Sequence, residues 1–122
     1  MKLNLSNLAK TWLFDVDGTI VEHNGHLRGE DCLLKGVKEF FANISADDKI
    51  IILTAREKKH ESALMEFLTK NGIRYDHIIS DLPFGERILI NDEKPSGMKT
   101  AYAVNIKRNQ GLDFEFKIDE SL

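Results

Sequence analysis

The sequence predicts an α/β fold built on a parallel sheet. Short apolar runs of strand character, Thr11-Trp12-Leu13-Phe14 and Lys49-Ile50-Ile51-Ile52-Leu53, are the first observation. The second is a stretch between them in which Leu33, Leu34, Val37, Phe40, Phe41 and Ile44 fall on one helical face. The third is another helical pattern from Glu57 to Lys70, with His60, Ala63, Leu64, Phe67 and Leu68 facing inward. Strands alternating with helices imply right-handed crossovers and parallel pairing. The unbroken apolar Ile50–Leu53 run is typical of a strand covered on both faces. Helices are therefore expected on both sides of the sheet, in three layers.

The remaining elements follow from local chemistry. The first strand stops abruptly at Asp15, and Gly18 breaks the pattern. Asn24-Gly25 is a strong tight-turn pair, so Val21 to His23 and His26 to Arg28 are expected to flank it as a small hairpin flap. Asn71-Gly72 supplies a stop for the second helix. His77-Ile78-Ile79 reads as a third strand and Arg87 to Ile90 as a fourth, ending at Asn91-Asp92. Thr100 to Ile106 is a candidate fifth strand. Phe114 to Ile118 alternates, which suits a terminal strand at an edge.

The whole chain narrows the function classes. With 122 residues it has room for a single domain, 1–122, and one core. A content of 42% hydrophobic and 30% charged residues is that of an ordinary soluble globular protein. The net charge of −3 offers no basic surface for nucleic acid. No apolar run approaches a membrane span, and the polar start is unlike a signal peptide. Cys32 is the only cysteine, which excludes an internal disulfide and accords with a cytoplasmic location.

Ligands of parallel sheets bind beyond the carboxyl ends of the strands. Three expected strands end there in polar residues, Asp15, Thr54 and Asp92. Asp15 and Asp17 allow a division of labour in which one carboxylate attacks phosphorus and the other moves protons. Gly18 lets the backbone turn and approach a ligand, and N–H groups of such a turn, around Thr19, can hold phosphate oxygens. The bland alternative is an Asx-rich turn. Thr54 can donate its hydroxyl to a phosphate oxygen, with Ala55 and the charge of Arg56 directly after it. It can equally cap a helix, and a helix start itself favours anions. Asp92 and Asp15 can hold a hard cation through oxygen ligands, and magnesium there would neutralise a phosphoryl group under attack. The three strand ends together are much harder to reach by chance than any one alone.

Leu13-Phe14-Asp15-Val16-Asp17-Gly18-Thr19, Ile51-Ile52-Leu53-Thr54-Ala55-Arg56 and Ile88-Leu89-Ile90-Asn91-Asp92 resemble, in order, three motifs of the haloacid dehalogenase superfamily. Those motifs are a strand ending in Asp-x-Asp-x-Thr, a strand ending in Thr or Ser, and a strand ending in acids. The resemblance covers nearly the whole chain and implies a minimal Rossmann-like hydrolase. It implies Asp15 as the nucleophile that forms an aspartyl-phosphate, Asp17 as general acid/base and Thr54 as a phosphoryl ligand. Gly18, Thr19, Ala55 and Arg56 would line the phosphate site. Magnesium would be held by Asp15, Asp92 and the backbone carbonyl of Asp17. The stretch Ile88 to Gly111 is also similar to small members found with sugar-nucleotide and capsule-polysaccharide genes.

One departure concerns the cation of the family's third motif. Small relatives often carry it in Lys-Pro-Phe, whereas this chain has Leu82-Pro83-Phe84. Lys94 is the preferred substitute, with Arg87 and Lys99 behind it. No cap domain fits between Asp15 and Thr54 or between Thr54 and Asp92, so an open site is expected, covered by the flap or by a second copy in a homo-oligomer. The expected activity is a magnesium-dependent phosphatase acting on a small phosphorylated metabolite, with sugar phosphates among the candidates. Leu82 keeps open an alternative, a weak or inactive module that binds phosphate or a partner. A phosphotransferase or mutase is a third reading, disfavoured because a mutase must shelter its phosphoenzyme from water. His23 and His26 read as solvated turn residues, with metal binding as the alternative, His60 as a core residue, Cys32 as a partly buried thiol, and Lys107-Arg108-Asn109 as a charged loop or a contact for phosphate or sugar.

Overall fold

The computed structural model describes residues 1–122, and every strand in it pairs in parallel. The strands are β1 (Lys2–Leu5), β2 (Thr11–Asp15), β3 (Lys49–Leu53), β4 (His77–Ile79) and β5 (Glu115–Ile118). The helices are α1 (Val37–Ala42) and α2 (Glu61–Lys70). β2, β3 and β4 form one sheet in that order, with Thr11 opposite Lys49, Asp15 opposite Leu53 and Leu53 opposite Ile79. β1 and β5 form a second, with Lys2 opposite Glu115. The chain is thus a small α/β protein with parallel strands in two sheets and few helices.

The pleat explains where the core lies. Successive strand residues point to opposite faces, and in β3 Ile50 and Ile52 are fully buried while Ile51 and Leu53 are half-buried. In β2, Phe14 is buried whereas its neighbour Leu13 keeps 47% of its surface exposed. One face of the sheet carries the core and the other is partly open, so a second complete helical layer is not seen. Phe14, Phe40, Phe41, Leu64, Leu68 and Ile73 share that core with Ile50 and Ile52. Tilted aromatic pairs tie it together, with ring centroids 4.4 Å apart for Phe14 and Phe41 and 5.0 Å for Trp12 and Phe116. The second contact packs β5 against the main sheet. Below it the buried Asp48 accepts from Trp12 Nε1 at 2.9 Å and from the Lys10 amide at 3.0 Å.

Several expectations need correction. The first helix begins only at Val37, because Gly36 has φ 79° and Leu33 and Leu34 are held elsewhere. Leu33 bridges Val21, and the Leu34 amide donates to Ile20. The flap is not a hairpin. A type I′ turn needs positive φ at both central residues, and here Asn24 has φ 56° while Gly25 does not follow it. Gly25–Arg28 forms a 3-10 turn instead. Arg87 to Ile90 and Thr100 to Ile106 are not strands. Residues 83–93 make no main-chain to main-chain hydrogen bonds, and Phe84 and Ile90 are 94% and 90% exposed. α2, by contrast, ends as its sequence predicts: Gly72 has φ 72°, and the Ile73 amide returns to the Leu68 carbonyl at 2.9 Å. No helix is long and apolar enough to cross a membrane.

Gly111 fastens the C-terminal segment to the start of α1. Its φ is 83°, and a Cβ there would stand 2.1 Å from the Lys35 carbonyl oxygen, a backbone atom that cannot step aside. Gly72 has a similar φ but open space around it. Gly72→Ala should therefore cost only the left-handed penalty, about 1–2 kcal/mol. Gly111→Ala should cost clearly more, roughly 3 kcal/mol or above once backbone strain is added. Urea unfolding of the two variants side by side checks this. Equal losses would mean that the Lys35 contact is not a constraint.

Candidate active site at the carboxyl ends of β2 and β3

Asp15 is the last residue of β2 and faces Leu53 across the ladder, so Thr54 emerges beside it from the next strand. Parallel pairing alone produces this juxtaposition. Both oxygens of Asp15 are engaged. Thr19 Oγ1 donates to Oδ2 at 3.0 Å, and Arg87 Nη1 donates to Oδ1 at 2.9 Å. Arg87 is thus the cation beside Asp15, while Lys94 sits in an exposed turn closed by Gly97 N to Lys94 O at 2.8 Å. The sequence ranked these two the other way round, because Lys94 stands just past the expected catalytic acid Asp92.

The turn after Asp15 is built on main-chain bonds. The amides of Thr19, Ile20 and Val21 converge on the Val16 carbonyl, and the Gly18 amide donates to Val21 O at 2.7 Å. Gly18 has φ 85°, and a Cβ there would meet Arg108 Cγ at 3.1 Å, so the stem of Arg108 lies directly over it. The Asn109 amide donates to Gly18 O, and Asn109 Oδ1 accepts from the His23 amide. The Arg108-Asn109 pair is therefore part of the site's wall. Thr54 is buried, and its Oγ1 accepts from the Arg56 amide at 3.0 Å, which leaves the hydroxyl proton free to donate. Ala55 is half-buried between them.

Arg56 is the most constrained side chain here, only 3% exposed. Its Nε and Nη2 donate to the two oxygens of Asp17 at 3.1 and 2.9 Å, and Nη1 and Nη2 donate to the two oxygens of Asp31 at 3.0 and 2.7 Å. These are two fork-to-carboxylate pairs on one guanidinium. Burial works against the charge of Arg56, and the hydrogen bonds it donates to Asp31 and Asp17 outweigh it, so its pKa lies above the usual arginine range. Asp31 is a residue that sequence reasoning missed, since a lone loop carboxylate has no pattern.

His26 and His60 complete this pocket, with ring centroids 5.3 Å apart. The buried Nδ1 of His26 has no hydrogen-bond partner and stands 3.7 Å from Asp17 Oδ1; His23 Nδ1 is likewise buried without a partner. Neither is the solvated turn residue that the sequence suggested. Cys32, in turn, is exposed. Burial, then the nearby Arg56, holds the His26 pKa below 6.5, against the opposing pull of Asp17 and Asp31. The native state therefore binds this proton less readily than the unfolded chain. Stability attributable to His26 is full above pH 6.5 and is lost as pH falls below it. Urea midpoints should drop between pH 7.5 and 5.5, and His26→Gln should flatten that drop. An unchanged slope would remove His26 from the account. Glu61, Asp76 and Asp119, whose pKa values are also lowered, act only at more acidic pH, below their normal values of 3.8 to 4.5.

Asp17, His26 and Asp31 are a group of potential metal ligands within 4.8 Å of one another, but the guanidinium of Arg56 already bonds both carboxylates there. Asp15 and Asp17 offer hard oxygen donors suited to magnesium. Asp92 does not join them in any such group. It lies in the exposed segment, where its carbonyl accepts from Thr100 Oγ1. Of the three residues that the resemblance assigns to magnesium, Asp15 and Asp17 stand together at the end of β2, and Asp92 lies in the exposed segment. Comparison of the chain with models of protein families, with curated proteins and with solved structures finds no match.

Proposed function

We propose that the protein is a phosphomonoester hydrolase in which Asp15 is the nucleophile and forms an aspartyl-phosphate. The observation that carries this reading is the setting of Asp15. It ends a parallel strand, it is flanked by the Thr19 hydroxyl and the Arg87 guanidinium, and a free hydroxyl proton on Thr54 lies at the next strand end. Positive charge and donors fixed around a nucleophile stabilise the charge that develops on a transferring phosphoryl group. Arg87 and Thr54 would hold the equatorial oxygens, and Asp17 would take the proton of the attacking water in the second step. The motif resemblance supports the same roles, and with them a small phosphorylated metabolite as substrate.

The finer fold belongs to this proposal. A three-layer Rossmann-like sheet requires Arg87 to Ile90 to join the free edge of β2, and that run is apolar, exposed and without main-chain partners. Magnesium dependence also belongs here, as the resemblance implies it; no step is assigned to the ion. A cytoplasmic location rests on the lone cysteine. The test is phosphate release from a panel of phosphate esters, run with magnesium and with EDTA, beside Asp15→Asn. No release that depends on Asp15 across the panel would refute the proposal.

A second reading has its own observation. The double fork of Arg56 occupies both oxygens of Asp17, which suits a module that binds phosphate without turning it over. Binding of orthovanadate to a chain that hydrolyses nothing would favour it.

A further inference from the structure

We infer that the substrate carries a second anionic group, a carboxylate or a further phosphate, a few bonds from the phosphoryl group that is transferred, and that Arg108 binds it. This rests on the hydrolase reading above. Arg108 belongs to the turn from Lys107 to Gln110, which is closed by Gln110 N donating to Lys107 O at 3.2 Å. Two bonds fasten that turn to the loop after β2. The Asn109 amide donates to Gly18 O at 2.9 Å, and Asn109 Oδ1 accepts from the His23 amide at 2.8 Å. Asn109 has φ 64°, a conformation that asparagine adopts more readily than most residues. Gly18 has no side chain to keep the turn away. A Cβ on it would meet Arg108 Cγ at 3.1 Å and Nε at 3.8 Å. The stem of Arg108 is thus held against the backbone three residues past Asp15, while the residue as a whole stays exposed.

The charge at the end of that stem has no partner in the protein. The other four arginines each hold a carboxylate: Arg28 with Glu22, Arg56 with Asp17 and Asp31, Arg74 with Asp76, and Arg87 with Asp15. Arg108 forms no ion pair, and neither does its neighbour Lys107. A guanidinium is a planar fork that matches the two oxygens of a carboxylate or a phosphate. In a chain of net charge −3, two unpaired cations on a turn fixed to the wall of the site leave a local positive field. The transferred phosphoryl group already has Arg87, Thr19 and Thr54 around it in the proposed arrangement. Asp15 and Gly18 are three residues apart, so their Cα atoms are separated by about 11 Å at most. A second anion that reaches Arg108 therefore lies within the length of a small molecule from the phosphorus. The substrate class is a small metabolite with a phosphate at one end and an acid at the other, such as a phosphorylated hydroxy acid or a bisphosphate.

The experiment compares kcat/KM for three esters on one three-carbon frame: glycerol 3-phosphate, 3-phosphoglycerate and glycerol 1,3-bisphosphate, the last corrected for its two equivalent phosphates. They differ only in the far group, which is a neutral alcohol, a carboxylate or a phosphate. The expected result is a preference of about tenfold for at least one of the two acids over the alcohol, the scale of a charge-assisted hydrogen bond at an exposed site. The acid that is preferred identifies the second group. Because Arg108 is exposed, the preference should shrink as salt rises. Arg108→Met keeps the stem over Gly18 and removes the fork, so the preference should vanish; Arg108→Lys should retain part of it. Equal values for the three esters in the wild type, with release still dependent on Asp15, overturn the inference and leave the hydrolase reading standing. So does a preference that Arg108→Met leaves intact, or a loss that falls on all three esters alike, which would put Arg108 on the transferred phosphoryl group. No release from the three esters while acetyl phosphate is hydrolysed through Asp15 overturns the inference alone. No Asp15-dependent release from any of them overturns both. Should the methionine variant fail to fold, the wild-type preference and its salt dependence decide.

Discussion

Arg56→Met should lower the stability of the folded chain by about 3–5 kcal/mol, the range for removing one partner from a buried ion pair. The charge deleted is the only group that satisfies the inner edges of two carboxylates. Asp31 is itself only 8% exposed, and its two oxygens bond to Arg56 at 2.7 and 3.0 Å. Without the guanidinium, Asp17 and Asp31 would be left as neighbouring negative charges with little water to solvate them. Methionine keeps most of the volume, so a cavity is not the cause. Native stability is commonly about 5–15 kcal/mol, so this one change could remove a large share of it. The midpoint of thermal unfolding should fall on the order of 10–20 °C. Adding Asp31→Asn to Arg56→Met should recover part of the loss, because the two sites share one interaction and do not add. A loss under about 1 kcal/mol would place the pair in the class of exposed ion pairs, contrary to its geometry.

Asp15→Asn should reduce phosphate release by roughly 10⁴–10⁶-fold, the scale on which covalent catalysts fail when the nucleophile is removed. The amide has no anionic oxygen to attack phosphorus, and it keeps one acceptor oxygen where Asp15 now serves both the Thr19 hydroxyl and Arg87 Nη1. The same substitution should leave folding nearly intact, because the Asp15–Arg87 pair is well exposed, with side-chain exposures of 39% and 36%, and such pairs contribute little. Arg87→Ala should then be the informative companion. It should slow release by about 10²–10³-fold as a lost charge-stabilising donor, with little change in the unfolding midpoint. Comparable release by Asp15→Asn and the wild type would remove Asp15 from the chemistry.

Much of the framework was legible because burial imposes periodicity. The apolar run of β3, the helical spacing of Leu64 and Leu68, and the Gly72 stop all appear in the chain as patterns, although the unbroken run gave no sign that Ile51 and Leu53 would be less covered than Ile50 and Ile52. The convergence of Asp15 and Thr54 followed from parallel pairing. What failed has a common cause: an apolar run specifies a wish for burial, not a partner. Ile88, Leu89 and Ile90 have strand character yet lie exposed, and Lys2–Leu5 looked merely polar until its parallel pairing with Glu115–Ile118 gave it a place. The turn at Asn24-Gly25 failed for a local reason, since a single left-handed residue does not make a type I′ turn. The Arg56 double fork was out of reach for another reason. Asp17 lies 39 positions from Arg56 and Asp31 lies 25, and ion pairs across such spans leave no periodic trace.

The most direct measurement of the central claim is trapping of the phosphoenzyme. The full chain is mixed with acetyl phosphate and magnesium, quenched in acid within seconds, digested and mapped by mass spectrometry. The account predicts one phosphoryl group on the peptide that contains Asp15, labile to hydroxylamine and absent from Asp15→Asn. Phosphorylation of a serine, threonine or histidine instead, or turnover of acetyl phosphate with no label on Asp15, would contradict it.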